Sequence, residues 1–437
     1  MDGRIGPELI RVGLFEFRRR STRALVRNAA TLALLAFFIA SAHGAEGESA
    51  TGAYTPPGPE PQRPELRSFV DSVKLDSALD PRGVQFGTLK LYPYISFEEM
   101  HTDNARRAPN HEVDDDLVSE DIGFTSQFHP HECIRAALNY DFGWHDYVRN
   151  TERDYPTQQA AAQLSIERIG VKGMSVLFYD NFLLTSSVGE LENEIQQFAK
   201  YDTNLAGMTA LYKFNRFKIS GTYEYNFLEY AAKENSVSDY HTDTGRFDVG
   251  WEWLPGKLEI FDTYQLQRTF FDHAFASDFD TDTFLAGVRG RFSKLTYSVG
   301  VGYEFSRPLY KNGVHGDAGY NATLAYAPHR RIAVDVTGSR NFQAGVLTGS
   351  SLETNTAVNL KILLTQRGFF TFGFVRNQSD RLDGIHQISI AYSPRFEYKI
   401  ARRVSLFTGY SRIERTSNDK PAEFKIDEVR VGAKLSW

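Results

Sequence analysis

Between residues 295 and 306 every second side chain is apolar: Leu295, Tyr297, Val299, Val301, Tyr303 and Phe305 alternate with Thr296, Ser298, Gly300, Gly302, Glu304 and Ser306. A period of two belongs to an extended strand with one dry face and one wet face. The same alternation runs through 134–145, where Ile134, Ala136, Leu138, Tyr140, Phe142 and Trp144 share a face. It returns in 387–400 with Ile388, Ile390, Tyr392, Pro394, Phe396, Tyr398 and Ile400. Soluble strands average about five or six residues. These runs are longer, and match the roughly ten-residue spans of strands that cross a membrane.

From residue 84 onward the chain divides into eighteen such segments. Short turns at 129–132, 213–216, 254–256, 293–294, 328–330 and 365–367 join one set of strand ends. Longer polar loops join the other set, at 102–116, 149–155, 186–197, 231–239, 272–280, 309–317, 344–351, 380–386 and 417–425. Short turns on one side and long loops on the other are the asymmetry of a transmembrane antiparallel up-and-down β-barrel. The expected fold is therefore all-β, with 16–18 strands and eighteen favoured. An even count places both termini on the short-turn, periplasmic side. Segments near 156–184 alternate poorly and are the weakest part of this division.

Composition agrees. Aromatic residues form 14% of the chain, yet its mean hydropathy is −0.39 and 24% of residues are charged. A barrel turns rings and aliphatic groups to lipid and polar groups to a wet interior, so average hydropathy stays low. The net charge of −6 gives no nucleic-acid footprint. Cys133 is the sole cysteine, which excludes an intrachain disulfide framework.

The N-terminal 44 residues read as a signal peptide: a basic RRRSTRALVR at 18–27, an apolar AATLALLAFFIASA at 29–42, then small residues to Ala45. The apolar run is shorter than the roughly 20 residues of a spanning helix. Cleavage is expected after Ala42 or Gly44, and Val12 is an alternative start. Residues 45–83 read as a Pro-rich periplasmic leader, with one short helix in ELRSFVDSVKL, and 84–437 as the barrel. At the other end, Val429, Val431, Ala433, Leu435 and Trp437 share a face. A terminal aromatic closing such a strand resembles the signal read by the barrel-assembly machinery, with Leu435 and Trp437 its key residues. Trp144, Trp251, Trp253 and Trp437 are expected near the membrane interfaces.

Residues 86–118 contain Pro93 in an extended strand, the pair Asp103-Asn104 and the acidic run Asp114-Asp115-Asp116. In these features the segment resembles the opening of the β-barrel porin type 2 families. The resemblance implies an outer-membrane barrel of the kind found with exopolysaccharide synthesis, and with it polymer export.

Enzymatic chemistry is not expected. His101, His111, His129, His131, His241, His273, His315, His329 and His386 fall in loops and turns, and His145 alone lies on a polar strand face. No G-x-S-x-G element is present. The acids between Glu112 and Asp121 lack the glycine and spacing of a calcium loop, so no metal or cofactor is expected. A leader of some forty residues is too short for the folded plug of a 22-stranded transporter.

The residues opposite the apolar faces are the candidate pore lining: Arg135, Asp141, Glu224, Asp248, Glu252, Arg289, Arg291, Glu304, Asp335, Lys361, Arg395, Glu397, Lys399, Arg430 and Lys434. Bases facing hydrocarbon would each cost about 2–4 kcal/mol near the midplane. They must face water or one another. Such a lumen reads as a porin-like channel, mildly anion-favouring, for small polar solutes or a polysaccharide. The alternative is a structural or surface-interaction barrel whose lumen is closed by paired charges and inward loops. The segment GELENEIQQ within 186–198 is the candidate constriction. The expected partners are outer-membrane lipid, lipopolysaccharide and the barrel-assembly machinery.

Overall fold

The computed structural model describes residues 83–104, 113–151, 154–168, 173–187, 199–231, 239–272, 278–308, 314–329, 331–345, 349–381, 384–420 and 423–437. The expected signal peptide, almost all of the leader with its helix, and the constriction segment at 188–198 lie outside these residues. So do His111, Glu112 and His273.

In chain order the strands are β1 (Val84–Phe86), β2 (Leu89–Thr102), β3 (Asp115–His131), β4 (Ile134–Tyr147), β5 (Tyr155–Glu167) and β6 (Met174–Ser187). Next come β7 (Ala199–Phe214), β8 (Phe217–Tyr230), β9 (Tyr240–Leu254), β10 (Leu258–Phe271), β11 (Phe279–Phe292), β12 (Leu295–Pro308) and β13 (His315–His329). The last are β14 (Ile332–Gly345), β15 (Gly349–Leu363), β16 (Gly368–Arg381), β17 (His386–Lys399), β18 (Val404–Ser417) and β19 (Phe424–Ser436). Each strand from β2 to β19 pairs antiparallel with its successor, and β19 closes on β2 through Glu428↔Thr102 to Ser436↔Tyr94. The result is an eighteen-strand barrel with one extra short strand. At ~4.8 Å between strands and a tilt near 40°, the wall is roughly 35 Å across at the backbone.

The expected alternation of connections is present. β14 and β15 are longer than the sequence division implied, and the loop expected at 344–351 contracts to 346–348. Two of the tightest turns place Asn215 and Ser293 at φ of 52° and 50°. Two-residue hairpin turns need this left-handed backbone to match strand twist, and asparagine tolerates it well.

β1 was not anticipated. It pairs with the lower edge of β2, Val84↔Leu91 to Phe86↔Leu89. β3 occupies the other edge of β2 along its whole length, so β1 and β19 share one edge, end to end. The Trp437 N–H donates to the carbonyl of Pro93 at 3.1 Å, just above β1. Pro93 lacks an N–H where the two strands meet. Gly83, at φ +71°, lies against the Tyr92 ring and the Leu91 carbonyl, where a Cβ would sit 2.8 and 2.9 Å away.

The two faces are distinguished by contacts that skip a strand. Lys213 on β7 reaches Glu252 on β9, Lys218 on β8 reaches Glu259 on β10, and Arg289 on β11 reaches Asp248 on β9. Only the concave side of a curved sheet brings next-nearest strands this close, so these residues line the interior. Their registry partners carry the assignment round the wall. Val299, Val301, Tyr303 and Phe305 are then outward and exposed, whereas Glu304 and Ser306 are inward and buried.

The outer face has an internal boundary. The hydroxyl of Tyr264 donates to Asp282 at 2.7 Å, and Tyr223 and Tyr410 bond in the same way to Asp243 and Asp427. In each pair the aspartate lies on the next strand, one outward step nearer the long loops. Beyond this line the outward face carries charge: Asp243, Arg268, Asp280 and Arg307 are successive registry partners across four strands. Arg268 holds Asp280 with two bonds, at 2.8 and 3.2 Å. Below the line the face is largely apolar, and Trp251, Trp253 and Trp437 project from its lower part. Asp262 is an exception, exposed between Ile260 and Tyr264.

Candidate functional site: the inner wall of the barrel

All fifteen charged residues read from the sequence as pore lining project from the inner face by this registry. The structure gathers some of them and leaves others apart. Asp248, Glu252 and Arg289 belong to one network on β7–β11. Arg289 Nη2 donates to Asp248 at 2.6 Å and to Glu259 at 2.5 Å, while its Nε donates to Glu259 at 2.8 Å. Lys218 donates to Glu259 at 2.5 Å and lies 3.2 Å from Glu252, which also accepts from Lys213 at 2.8 Å. Arg246 is 3.4 Å from Asp248, and Thr263 donates to the same carboxylate at 2.7 Å. Gly250 makes room, since a Cβ there would fall 2.0 Å from Glu259 Oε1. Opposite charges in this sector are therefore largely matched.

Lys213, Lys218, Arg246 and Glu259 were absent from the sequence reading. Around Glu259 the run Leu258–Tyr264 breaks the expected pattern twice. Phe261 faces the lumen, 5% exposed beneath the Arg289 guanidinium at 4.8 Å, and Asp262 faces outward. Lys213 and Lys218 flank a tight turn, where face cannot be read from alternation.

The sector β15–β19 is richer in cations. Arg395 lies over the Phe407 ring at 3.9 Å, Lys361 over Phe369 at 5.6 Å, and Lys434 over Tyr94 at 3.9 Å. Aromatic faces attract these cations without neutralising them. Arg430 pairs with Glu428 at 2.6 Å, whereas Arg395 and Glu397 are 3.8 Å apart. Lys399 lies on the same face near the short turns.

The remaining candidates are dispersed. Arg135 is 3.9 Å from Glu167. Glu224 accepts from the Tyr179 hydroxyl, and Asp141 from that of Tyr94. Asp335 stands beside Asn359 and Arg291 opposite Thr296 in registry. Glu304 spans a defect in the wall. The β13–β14 pairing ends at Tyr320↔Arg340, and Glu304 accepts the Phe342 N–H at 2.8 Å across Gly319. It also accepts from Thr283 at 3.1 Å.

His145 is on the inner face, as its strand position implied. Its Nδ1 is 2.8 Å from Ser119 Oγ and its Nε2 3.0 Å from Thr157 Oγ1, with Asp121 4.0 Å away. Among the described residues no group of three His, Cys, Asp or Glu side chains is arranged to hold a metal ion.

A closed eighteen-strand wall, apolar outside and densely charged inside, defines a porin-like β-barrel. Comparison with known families supplies the particular one. The chain belongs to the family described as Putative beta-barrel porin 2, whose model matches residues 76–436, and it resides in the outer membrane. No curated protein matches the chain. Among solved structures it is similar to the outer-membrane protein OpdK of Pseudomonas aeruginosa, at 10% identity and a TM-score of 0.42, covering 80% of this chain and 99% of that one. It is also similar to OpdK of the same organism with vanillate, at 9% identity and 0.42, covering 79% and 99%. OccK2 (OpdF) of P. aeruginosa in complex with glucuronate gives 9% identity and 0.43, covering 80% and 98%. At these identities and scores, vanillate and glucuronate remain properties of those proteins.

Proposed function

We propose that this barrel is a passive channel for small polar solutes, with a mild preference for anions. The observation that carries the reading is the uneven inner wall. In β15–β19, Lys361, Arg395 and Lys434 lie over aromatic rings and Lys399 shares their face, while the β7–β11 sector holds its acids and bases in a dense network of ion pairs. A lumen with surplus positive charge on one side draws anions toward that side. An eighteen-strand wall is wide enough for an aqueous path. Lipid surrounds the outer face, and lipopolysaccharide is the expected neighbour of the charged rim beyond Tyr223, Tyr264 and Tyr410. Leu435 and Trp437 are the expected recognition points for the assembly machinery, with both termini periplasmic.

A catalytic role is not part of this reading. The Ser119–His145 pair sits within strands whose backbone N–H groups are taken up by the ladder, so the backbone there forms no oxyanion hole.

Single-channel recording of refolded protein in planar bilayers tests the proposal. Stable conductance steps that favour chloride over potassium are expected, with the preference reversed by Lys361→Glu combined with Arg395→Glu. Folded, inserted protein that passes no current would instead support the occluded, structural barrel.

A further inference from the structure

One part of the inner wall carries hydrogen-bonding capacity that the chain itself does not use. On β4 and β6, Asn139 and Asn181 face the lumen, and both register against Ala161 on the intervening β5. A methyl group there leaves a notch between two amides. The neighbouring cavity is lined by Tyr94, Thr125, Asn139, Asp141, Gln159 and Ala161, among others. Asp141 stands one inward step above Asn139 on β4, registered against Gln159. One of its oxygens accepts the Tyr94 hydroxyl. Its other oxygen, Oδ1, is buried without a hydrogen-bond partner, and so are Asn139 Oδ1 and Asn181 Oδ1. Buried polar groups are nearly always paired, so the unpaired oxygens of Asn139 and Asp141 in the cavity lining, with that of Asn181 on the far side of Ala161, point to a missing donor.

We propose that this notch binds the primary ammonium group of a small solute. An ammonium offers three N–H donors and no acceptor, which matches three acceptors of which one is a carboxylate. A hydroxyl offers one donor and adds lone pairs of its own, so a neutral polyol satisfies the set less well. Tyr94 fixes the Asp141 carboxylate from one side, so the free oxygen keeps its direction. The site adjoins the cationic sector, since Lys434 lies over the ring of the Tyr94 that holds Asp141, and it gives the lumen a local foothold for cations within a wall that otherwise favours anions. The inference deepens the channel reading, and rests on it only for the route by which a solute arrives. Binding itself requires the folded wall alone.

Ethanolamine and its neutral counterpart ethylene glycol are suitable probes, followed by saturation-transfer NMR on the refolded full-length barrel in detergent micelles. Saturable binding of ethanolamine, and a much weaker response to ethylene glycol, are expected. Asp141→Asn should weaken ethanolamine binding by about tenfold or more, since it removes the charge from a charge-assisted hydrogen bond. Ala161→Leu should abolish it by filling the notch, while Asn377→Leu on β16 leaves it unchanged. Equal binding of the two probes, or retention of ethanolamine by Ala161→Leu, overturns the proposal. Bound ethanolamine in a barrel that passes no current sinks the channel reading alone, and a conducting barrel that ignores ethanolamine sinks the notch alone.

Discussion

Replacing Asp262 with leucine should make this protein more stable. Asp262 is outward and exposed, four residues above the short-turn end of β10. A tilted strand climbs roughly 2.6 Å per residue, so its carboxylate sits about 10 Å above the strand end, inside an apolar band about 25 Å tall. Its registry partners, Val249 and Ala286, offer it no charge. A lipid-facing Arg or Lys at the midplane costs about 2–4 kcal/mol and an acid less, so about 1–2 kcal/mol is reasonable here. Leucine adds apolar contact with lipid worth about 1 kcal/mol. Asp262→Leu is therefore expected to raise the free energy of unfolding by about 2–3 kcal/mol. Reversible guanidinium unfolding from lipid vesicles, followed by tryptophan fluorescence, measures this directly. An unchanged or lower midpoint with the same slope would show that Asp262 is not in hydrocarbon, and would refute the placement of the apolar band.

Two other outcomes follow from the same geometry. Arginine at outward Val299 or Ile390 should lower the level of assembled protein in outer membranes, whereas arginine at inward Ser298 or Ser389 should be tolerated; equal levels across the four would contradict the assignment of faces. At the long-loop end, the Arg149 guanidinium donates a hydrogen bond to Asp114 at 2.5 Å and holds its carboxyl below the usual carboxylate range. A lowered folded value means the pair contributes above the ordinary value and is lost as pH falls through the folded one. A chemical-shift titration of the Asp114 carboxyl should give a midpoint below the ordinary value of about 4, and Arg149→Ala should raise it.

The architecture was legible where the two faces differ strongly. β12, β17 and β19 alternate cleanly because an aromatic or branched residue meets lipid at nearly every outward step. β5 did not, and its outward Gln158, Ala160 and Ala162 show why: its lipid face is built of small or polar groups hardly distinguishable from its inward Ala161. Aromatic rings also misinform, since Tyr94 and Phe261 face the lumen, one holding Asp141 and the other beneath Arg289. Charges that skip a strand, such as Lys218 with Glu259, are 41 residues apart in sequence. No local pattern foretells such a pairing, because curvature rather than spacing brings the groups together. The same holds for the notch at Ala161, which exists because three strands place two asparagines on either side of one alanine.

The meeting of β19 and β1 along one edge of β2 has a topological consequence. Trp437 lies opposite Pro93 and Val84 opposite Leu91, with Gly83 between them at the level of Tyr92. Both strands run in the same direction, so together they form one continuous strand with a nick in its backbone. Sealing that nick by joining Trp437 to Gly83 would leave the wall unbroken, and the chain could be opened afresh at a long loop. In a chain without residues 1–82 the folded wall would keep the same order of strands, while the strand carrying Leu435 and Trp437, the expected assembly signal, would no longer be the last. The circle has no mechanical beginning.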